Sequence, residues 1–445
     1  MRVTFVLPSV GKKPGESYVK SWLMEPLAIA TLSGLTPASI ERAFYDDRLE
    51  VIPYDEPTDL VAISVETFTA RRAYQIAAQY HRRGVPVVMG GFHATLAPEE
   101  TGQHAEIVVI GEAETLWPQV IDDVAHGKAA RQYKAARRPR LGGFRPDRSI
   151  YGHKPYLRLA LVETGRGCCY ACDFCSISSF FGGTYRARPV AEVVDEIQSI
   201  KIRNLFLVDD NLAVDRGRTV ELLTALIPLR RRWVAQISLD AALDRSLPAL
   251  MHQSGCRGVL IGLESMNPVA LAAMGKTVNE QAHCYAEALN HLRRARLAVY
   301  ATFVFGYDAD GEESFRTAWE FARTNRLFFA AFNHLIPFPG TDLYERLRRE
   351  GRLVSAAWWL SSAYRFGDVP FHPRGLTAEE LARRCFQARR EFYGVGSILR
   401  RAMDLRANCQ SPLMALFYLV ANVSSARDVW RRQGLPLGGD GGASM

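Results

Sequence analysis

The sequence has no apolar stretch long enough to cross a bilayer and no N-terminal targeting signal. Its longest late apolar run, Leu413 to Val423, is about half the length of the roughly 20 residues that a transmembrane helix needs. A core helix is the favoured interpretation of this run, and a helix lying on a membrane surface is the alternative. Residues Met1 to Ser9 lack the charged segment, apolar stretch and cleavage site of a secretory signal. We therefore expect a cytoplasmic protein.

Cysteine is scarce and unevenly placed. The 445 residues contain eight cysteines, and four of them crowd between positions 168 and 175. A secreted disulfide framework would spread its cysteines along the chain. The crowding therefore favours a metal site in a reducing compartment.

The net charge of +8 does not by itself indicate nucleic-acid binding. Much of the basic excess lies in helical stretches such as Arg230 to Arg232 and Arg293 to Arg296, which a solvated helix face explains about as well as a partner. The sequence has no basic stripe interleaved with aromatic residues and no recognisable binding module. We expect a small-molecule substrate and no nucleic-acid partner.

Short apolar runs alternate with helical patterns along residues 1–127, as in a doubly wound α/β sheet. The predicted strands are Val3 to Leu7, Leu60 to Val65, Val85 to Met89 and Ile107 to Ile110. Ligands bind beyond the carboxyl ends of such strands, so the small and polar residues there would share one crevice. The candidate cofactor-binding residues of this crevice are Ser9, Thr67, Gly90, Gly91, His93, Gly111 and Glu112.

The rest of the chain divides into a linker, a second α/β segment and a helical end. Residues 128–156 are basic and weakly periodic, which is typical of a linker. Residues 157–366 contain six strand–helix repeats that suit a partial or full α/β barrel with its chemistry at the carboxyl ends of the strands. Residues 367–445 are predicted to be helical. The predicted barrel strands are Leu157 to Glu163, Asn204 to Val208, Trp233 to Leu239, Gly258 to Gly262, Val299 to Phe305 and Ala330 to Leu335.

A CxxxCxxC motif follows the first barrel strand and consists of Cys168, Cys172 and Cys175. Thiolates are the usual ligands of iron–sulfur clusters, and this spacing lets one loop wrap around a cluster. Three protein ligands for four irons leave one iron open to a further ligand. Structural zinc is the alternative, but it needs four closed ligands, and the adjacent Cys169 is badly placed to be the fourth.

With the aromatic Phe174 directly before its third cysteine, this loop resembles that of the radical S-adenosylmethionine (SAM) superfamily. The resemblance implies a [4Fe-4S] cluster whose open iron binds the amino and carboxylate groups of SAM. It implies that an electron from the reduced cluster cleaves SAM to a 5′-deoxyadenosyl radical, and that a donor such as flavodoxin or ferredoxin supplies the electron. The protein then contributes position and exclusion of water, while the cofactor carries the difficult chemistry.

Further motifs resemble the cobalamin-binding subgroup of this superfamily. The resemblance covers roughly residues 1–350 and implies a Rossmann-like cobalamin-binding domain, a radical SAM (β/α) partial barrel and a helical C-terminal domain. It leaves the C-terminal residues without a functional analogy. The motifs are Gly90 to Thr95, Pro98 to Glu100, Gly111 to Glu114, Asp209 to Asn211, Gly262 to Ser265 and Pro337 to Thr341.

The first domain lacks the Asp-x-His-x-x-Gly stretch by which many cobalamin proteins supply an axial histidine. The radical subgroup that the chain resembles often lacks this stretch too, so cobalamin remains the expected cofactor. The lower face of its ring would then be covered by protein rather than ligated by a histidine. The alternative is a domain that has kept its fold and lost the cofactor. His93 is the one histidine in the glycine-rich strand-end loop, and a hydrogen-bonded structural residue is the favoured interpretation of it over contact with a corrin ring.

Polar residues at the ends of the predicted barrel strands are the remaining candidates. Asp209 and Asp210 end the second strand and would orient the cofactor amine or the substrate, with a helix cap as the alternative. Tyr307 closes the fifth strand, where a buried core tyrosine is an equal alternative. The resemblance implies contact between SAM and a glutamate at the end of the fourth strand. The candidates for binding SAM are Gln236, Ser238 and Glu264.

These features together predict methyl transfer to an unactivated carbon of a small-molecule metabolite. An sp³ C–H bond has no usable acidity, so a primary radical can open it where a general base cannot. Methylcobalamin would then deliver the methyl group. The alternative within the class uses the same radical for cyclisation, ring rearrangement or transfer of the 3-amino-3-carboxypropyl part of SAM. The alternative from another class is a non-catalytic cobalamin or redox sensor.

Overall fold

The computed structural model describes residues 1–439 except Pro14, Ser17, Lys20, Ser21, Glu280 and Gln281. Residues 440–445, the last part of the predicted helical segment, lie outside the described residues. The described strands form two six-stranded parallel sheets and one two-stranded antiparallel hairpin. The protein is therefore an α/β protein with parallel sheets, as the alternation of strand and helix patterns predicts.

The first sheet has the strand order β2-β1-β3-β4-β5-β6 and helices on both faces. Its strands are β1 (Arg2–Leu7), β2 (Glu41–Asp46), β3 (Leu60–Ser64), β4 (Val87–Gly90), β5 (Ile107–Ile110) and β6 (Gln132–Lys134). Its helices are α1 (Leu27–Leu35), α2 (Ala70–His81), α3 (Phe92–Leu96), α4 (Pro98–Thr101) and α5 (Trp117–Ala125). Residues of the inner strands are buried almost without interruption, as expected for a parallel sheet that is covered on both faces.

Two edge strands, β2 and β6, are absent from the prediction. Only two of the six residues of the edge strand β2 are buried, so its sequence has no clean alternation of apolar and polar residues from which a strand could be predicted. Strand β6 has three residues and lies inside the segment that is interpreted as a linker. So short a strand carries no periodic signal, and it forms because β5 offers a free edge.

The second sheet has the order β14-β13-β12-β11-β10-β7, in which all neighbours are parallel. Its strands correspond to the six predicted ones: β7 (Ala160–Val162), β10 (Asn204–Leu207), β11 (Arg232–Ile237), β12 (Cys256–Glu264), β13 (Ala298–Phe305) and β14 (Phe329–His334). The hairpin between β7 and β10 consists of β8 (Gly165–Gly167) and β9 (Tyr185–Ala187). Since β7 and β14 lie at opposite edges, the described strands form an open sheet rather than a closed barrel.

Helices connect these strands and cover one face of the second sheet. They are α6 (Ser176–Phe181), α7 (Val190–Ser199), α8 (Arg216–Leu226), α9 (Leu239–Leu243), α10 (Leu247–Gln253), α11 (Pro268–Ala273), α12 (Tyr285–Arg294), α13 (Glu312–Thr324) and α14 (Asp342–Arg349). The 3₁₀ helices of the chain are Thr67–Thr69, Arg148–Tyr151, Ile227–Leu229, Thr277–Asn279, Ala282–Cys284 and Trp358–Leu360.

The other face of the second sheet is only partly covered. In β13, Ala301 and Phe303 are fully buried, whereas Thr302 and Val304 between them are half-buried. Strand β11 shows the same alternation of buried and half-buried residues. Side chains of a strand point alternately to its two faces, so the half-buried set lies on one concave face, which we call the lumen face.

Three helices follow the second sheet: α15 (Ala378–Phe392), α16 (Val395–Ala402) and α17 (Pro412–Arg432). Helix α15 contacts β14, while α16 and α17 pack near the amino ends of β13 and β14. The apolar run Leu413 to Val423 lies in α17, and most of its large side chains are exposed, so the favoured interpretation as a core helix is wrong for this run. Among the described residues, no helix has the length and apolar character needed to cross a membrane.

Candidate functional site

The cysteine motif lies at the carboxyl edge of the second sheet. Strand β7 is followed by β8, which pairs with β9, and the segment between β8 and α6 contains the three cysteines. We call residues 168–175 the cluster loop. Gly167 begins this loop with φ +84°, and a side chain there would place its Cβ 1.9 Å from the carbonyl oxygen of Thr184. Only glycine therefore lets the loop leave the hairpin in this direction.

The chemistry of the cluster loop suits thiolate ligands. Burial raises the pKa of the Cys172 thiol to about 12, and the nearby ammonium of Lys276 opposes this shift. Backbone N–H groups of Ile177 and Ser178 donate to the sulfur of Cys175, and that of Tyr170 donates to the sulfur of Cys168. Burial nevertheless raises the pKa of both thiols, and these donors oppose that shift by stabilising the thiolates.

The three thiols are electrostatic neighbours: Cys168 and Cys175 raise the pKa of Cys172, and Cys175 raises that of Cys168. No group of three His, Cys, Asp or Glu side chains within the described ranges is arranged to hold a metal ion. Three thiols on one loop are the number and type of protein ligand that a cluster of several irons takes, whereas structural zinc takes four. Cys169 is exposed, while Cys172 is buried.

Tyr307 lies just after β13 and holds the cluster loop through Asp173. Its hydroxyl donates to Oδ1 of Asp173, while Arg346 lies 2.9 Å from Oδ2 of the same carboxylate. The backbone N–H of Asp173 also donates to the carbonyl oxygen of Met274, at 2.9 Å. Tyr307 is 4% exposed, and burial beside Asp173 raises the pKa of its phenol. These contacts favour a positioning role for Tyr307, and its predicted catalytic role stays a prediction.

Replacing Tyr307 with phenylalanine should weaken this anchor without abolishing turnover. We expect the free energy of unfolding to fall by about 1–3 kcal/mol, because a hydrogen bond to a carboxylate is lost. SAM cleavage should slow but persist, as measured by 5′-deoxyadenosine formation in the reconstituted enzyme. Tyr393→Phe is the matched control, since that hydroxyl donates to the carbonyl oxygen of Ala330 away from the loop. Complete loss of cleavage in Tyr307→Phe, with normal stability, would restore the catalytic interpretation.

Asp209 and Asp210 bind backbone groups around the cluster loop. Asp209 is 2% exposed and accepts from the backbone N–H and the hydroxyl of Thr164, at 2.7 and 2.6 Å. Burial raises the pKa of Asp209 to about 7 and that of Asp210 to about 6. Asp210 accepts from the N–H of Gly167 at 2.8 Å and lies near the thiols. The helix-cap alternative is wrong, since Asp215 caps α8, and both aspartates hold the loop in place.

Glu264 is the candidate with the most unusual backbone. It ends β12 at a bulge against β13 and has φ +63°, which is rare for a residue with a side chain. Its Oε1 accepts from the ammonium of Lys276 at 2.7 Å, and its Oε2 accepts from Thr302 at 3.3 Å. A methyl group on Gly262 would lie 2.1 Å from Oε1 of Glu264, so glycine is needed beneath this pair.

The two candidates on β11 differ in their surroundings. Gln236 lies on the lumen face, half-buried, and its side chain has no hydrogen-bond partner within the part of the chain that the structure describes. Ser238 accepts from the side-chain amide of Asn211 at 3.0 Å and hydrogen-bonds with Tyr170 of the cluster loop. Gln236 is therefore free to bind a ligand, whereas Ser238 is already engaged. Phe174 packs against the core of the second sheet.

The candidate residues of the first sheet are mostly bound to other protein groups. His93 is fully buried, with Nδ1 3.2 Å from the hydroxyl of Thr67 and Nε2 3.0 Å from Oε1 of Glu100. Trp359 donates to the same Oε1 and packs edge-on against the imidazole. Neither His93 nor Thr67 has a side chain free for a corrin ring, so the structural interpretation of His93 is the one supported.

Ser9 and Glu112 are likewise engaged. The N–H and hydroxyl of Ser9 donate to Asp47 at 3.0 and 2.6 Å. The Glu112 carboxylate accepts from Arg186 at 2.7 Å and from Arg166 at 2.9 Å, both in the hairpin that flanks the cluster loop. Glu112 is therefore corrected from a ligand-binding residue to an ionic link between the first sheet and the cluster loop.

The glycines leave a crevice at the strand ends of the first sheet. Gly111 has φ +91° and open space where a Cβ would lie, while Gly91 has φ +103° and backs onto Val65. A Cβ on Gly90 would contact only Val109 of β5, at 3.6 Å. Glu66 is exposed to solvent, yet surrounding protein raises the pKa of its carboxyl to about 7. Glu66 follows β3, so its carboxyl lies at the same strand-end edge as these glycines.

Comparison with known proteins identifies the family. Residues 162–322 match the sequence model of the radical SAM superfamily. The bacteriochlorophyllide d C-12(1)-methyltransferase of Chlorobaculum tepidum is 31% identical over 390 residues, which cover 84% of each chain. The chain belongs to the radical SAM superfamily. Members of this superfamily use a [4Fe-4S] cluster and SAM, and this enzyme has methyltransferase homologues.

Two further matches to this radical SAM enzyme are themselves methyltransferases. The bacteriochlorophyllide d C-8(2)-methyltransferase of the same organism is 28% identical over 351 residues, which cover 75% of this chain and 78% of the relative. The radical SAM methyltransferase TsrM of Kitasatospora setae, solved with cobalamin and a [4Fe-4S] cluster bound, superposes with a TM-score of 0.64. That match has 18% identity and covers 78% of this chain and 75% of TsrM, so it shows a shared fold.

Lys276 and Asp173 are the site residues that sequence reasoning misses in this radical SAM enzyme. Lys276 follows α11 and lies between Glu264 and the thiols of Cys172 and Cys175. Burial lowers the pKa of Lys276, but the carboxylate and the thiols outweigh this effect and raise it. A lone lysine in a turn gives no sequence signal. Asp173 could have been found, since it lies inside the cysteine motif.

Proposed function

We propose that this enzyme is a cobalamin-dependent radical SAM methyltransferase that acts on an unactivated carbon of a small molecule. The observation that carries the proposal is the cluster loop, with three thiols at the carboxyl edge of an open parallel sheet. The 31% identity to a methyltransferase over most of both chains supports methylation over the alternative radical reactions. A substrate would lie on the lumen face, where side chains are half-buried rather than covered.

The residues of the cluster loop would hold the iron–sulfur cluster, with Cys168, Cys172 and Cys175 as its ligands. When bound, the cluster and SAM supply a carbon radical able to abstract hydrogen from an unactivated position. Asp210 and Tyr307 keep the loop in place through Gly167 and Asp173. The protein thus contributes the fixed positions of three thiolates and the half-buried lumen face beside them.

The neighbouring lumen residues would bind SAM. Gln236 offers an unengaged amide on the lumen face, and Glu264 offers a carboxylate that Lys276 orients. Carboxylate and amide oxygens are acceptors suited to the ammonium and ribose hydroxyl groups of SAM. Ser238, bound to Asn211 and Tyr170, would act by holding the cluster loop rather than by direct contact.

Cobalamin would lie at the carboxyl ends of the first sheet, beside Gly90, Gly91 and Gly111. Open space lies where a Cβ of Gly111 would be, which fits the approach of a flat macrocycle, while the lack of a side chain on Gly91 lets this turn pack against the backbone of Val65. This arrangement implies an N-terminal Rossmann-like cobalamin domain over residues 1–127, a linker over 128–156, a radical SAM partial barrel over 157–366 and a helical domain from 367 onward. An electron donor such as flavodoxin or ferredoxin, and a cytoplasmic location, remain predictions.

Hydroxocobalamin should bind the purified protein stoichiometrically, as measured by absorbance after gel filtration. The spin-resonance spectrum of the Co(II) form should lack nitrogen superhyperfine splitting, since His93 is buried with both ring nitrogens engaged. His93→Ala should leave that spectrum unchanged while lowering the free energy of unfolding by about 1–3 kcal/mol, because the buried hydrogen bond between His93 and Glu100 is lost. Nitrogen splitting that disappears in His93→Ala would contradict the assignment.

The function is tested by comparing metabolites in cells with and without the gene by mass spectrometry. A metabolite that is heavier by one methyl group only when the gene is present supports methylation. Purified enzyme that forms 5′-deoxyadenosine with substrate but binds no cobalamin favours the non-methylating alternative. Protein that binds cobalamin yet never cleaves SAM favours a sensor.

A further inference from the structure

The surface formed by α16, the following turn and α17 is unusually apolar. Its large side chains point outward although an inner set already packs the helices onto the sheet. The outward residues, which we call the α16–α17 patch, are each more than half exposed: Leu399, Met403, Leu405, Leu413, Leu416 and Val420. Residues of a monomeric surface rarely gather in this way unless they meet a partner.

The spacing of these residues shows that they share a face. Leu413, Leu416 and Val420 are separated by three and four positions on α17, and such residues lie on one side of a helix. The opposite side of α17 carries Tyr418 and Ala421, which are buried against β13, β14 and α16. Helix α17 is therefore apolar on both sides, so packing onto the sheet does not explain its outer face.

The exposed charges of residues 393–439, the segment that carries the patch, are of one sign. Residues 393–439 contain two acidic residues, Asp404 and Asp428, and both are buried. Asp404 is also neutralised by Arg293, whose Nε lies 3.0 Å away. The exposed charged residues of this segment are arginines, including Arg400, Arg406, Arg427 and Arg431. The patch thus combines exposed aliphatic side chains with uncompensated positive charge.

We infer that the α16–α17 patch binds an anionic membrane surface as a peripheral contact, without crossing the bilayer. Aliphatic side chains enter the region between headgroups and acyl chains, and flanking arginines pair with lipid phosphates. Helix α17 also exposes Phe417 and Trp430, and exposed aliphatic and aromatic side chains beside arginines are the composition of a helix that lies in a membrane interface. The patch lies near the amino ends of β13 and β14, away from the cluster loop, so membrane contact leaves the active site accessible.

The test is flotation of the cluster-loaded full-length protein with lipid vesicles. Wild-type protein should float with vesicles of phosphatidylcholine and phosphatidylglycerol, and much less with phosphatidylcholine alone. Two variants, Leu416→Ser/Val420→Ser and Arg427→Glu/Arg431→Glu, should each bind vesicles about tenfold or more weakly. The first removes apolar side chains that enter the membrane interface. The second reverses two charges, and each basic residue near an anionic surface contributes roughly 1 kcal/mol. Cleavage of SAM in solution should be unchanged in both.

Matched controls separate the patch from general surface effects. Val51→Ser/Val269→Ser removes two exposed valines that lie outside the patch. Lys128→Glu/Lys134→Glu reverses two exposed charges that also lie outside it. Both controls should bind anionic vesicles as the wild type does.

Several outcomes would overturn the inference. Absence of wild-type binding to anionic vesicles would do so, as would equal binding by the patch variants and the wild type. Equal loss in the control variants would show an unspecific effect. If light scattering shows a dimer that Leu416→Ser/Val420→Ser converts to a monomer, and vesicles are not bound, the patch is a subunit interface instead.

Discussion

Single replacement of Cys168, Cys172 or Cys175 by alanine should abolish the iron–sulfur cluster. Each change removes one of three thiolates from a site that has no spare protein ligand, and a cluster held by two thiolates does not persist. We expect the brown visible absorbance and the iron content to fall to background after anaerobic reconstitution. Formation of 5′-deoxyadenosine should disappear with them, because SAM binds at the open iron of the cluster in this superfamily.

Cys169→Ala is the matched control for these variants. It changes a cysteine of the same loop that is exposed and keeps the three ligands, so cluster content and SAM cleavage should stay normal. A Cys172→Ala protein that retains four irons and cleaves SAM at the normal rate contradicts the assignment. Zinc near one equivalent, without iron, in the wild-type protein contradicts it as well.

Removal of the Lys276 side chain should have the second largest effect. Lys276→Ala leaves the Glu264 carboxylate unpaired in a site where both side chains are at most 14% exposed. Breaking a buried pair costs about 3–5 kcal/mol, so the free energy of unfolding should fall by an amount of that order. SAM cleavage should fall at least about tenfold as well, because Glu264 loses the partner that orients it.

A double variant separates the structural from the functional contribution of this pair. Glu264→Gln/Lys276→Met removes both charges, so most of the stability should return while SAM cleavage stays low. The affinity for SAM, measured by equilibrium dialysis of the cluster-loaded protein, should be reduced in the same variant. Lys201→Ala, at an exposed lysine, serves as the surface control and should change neither quantity. Normal cleavage in the double variant would remove Glu264 from the cofactor-binding set.

The cluster loop could be predicted because all its ligands lie within eight consecutive residues. Its position also follows from local patterns, since an apolar strand pattern directly precedes it and the parallel sheet brings every strand end to one edge. Lys276 could not be predicted in this way. Its partners are Glu264 and cysteines about a hundred positions earlier, and only the folded chain brings them together.

The candidates of the first sheet show the converse error. Ser9, His93 and Glu112 stand at strand ends where a ligand would bind, and position alone made them candidates. The structure gives each of them a protein partner: Asp47 for Ser9, Glu100 for His93 and arginines of the hairpin for Glu112. A polar side chain that already has a buried partner has little left to offer a cofactor, and sequence does not reveal that partner.

The sequence by itself determined the strand–helix alternation, the cysteine motif and the resemblance to radical SAM enzymes, because periodicity and spacing are properties of neighbouring residues. The tertiary structure alone decided which polar groups face the lumen, which anchor the cluster loop and that α17 turns an apolar face to solvent. Tyr307 illustrates the difference: its partner Asp173 lies 134 positions away. Whether a side chain is free to act depends on groups that the chain brings close only when it folds.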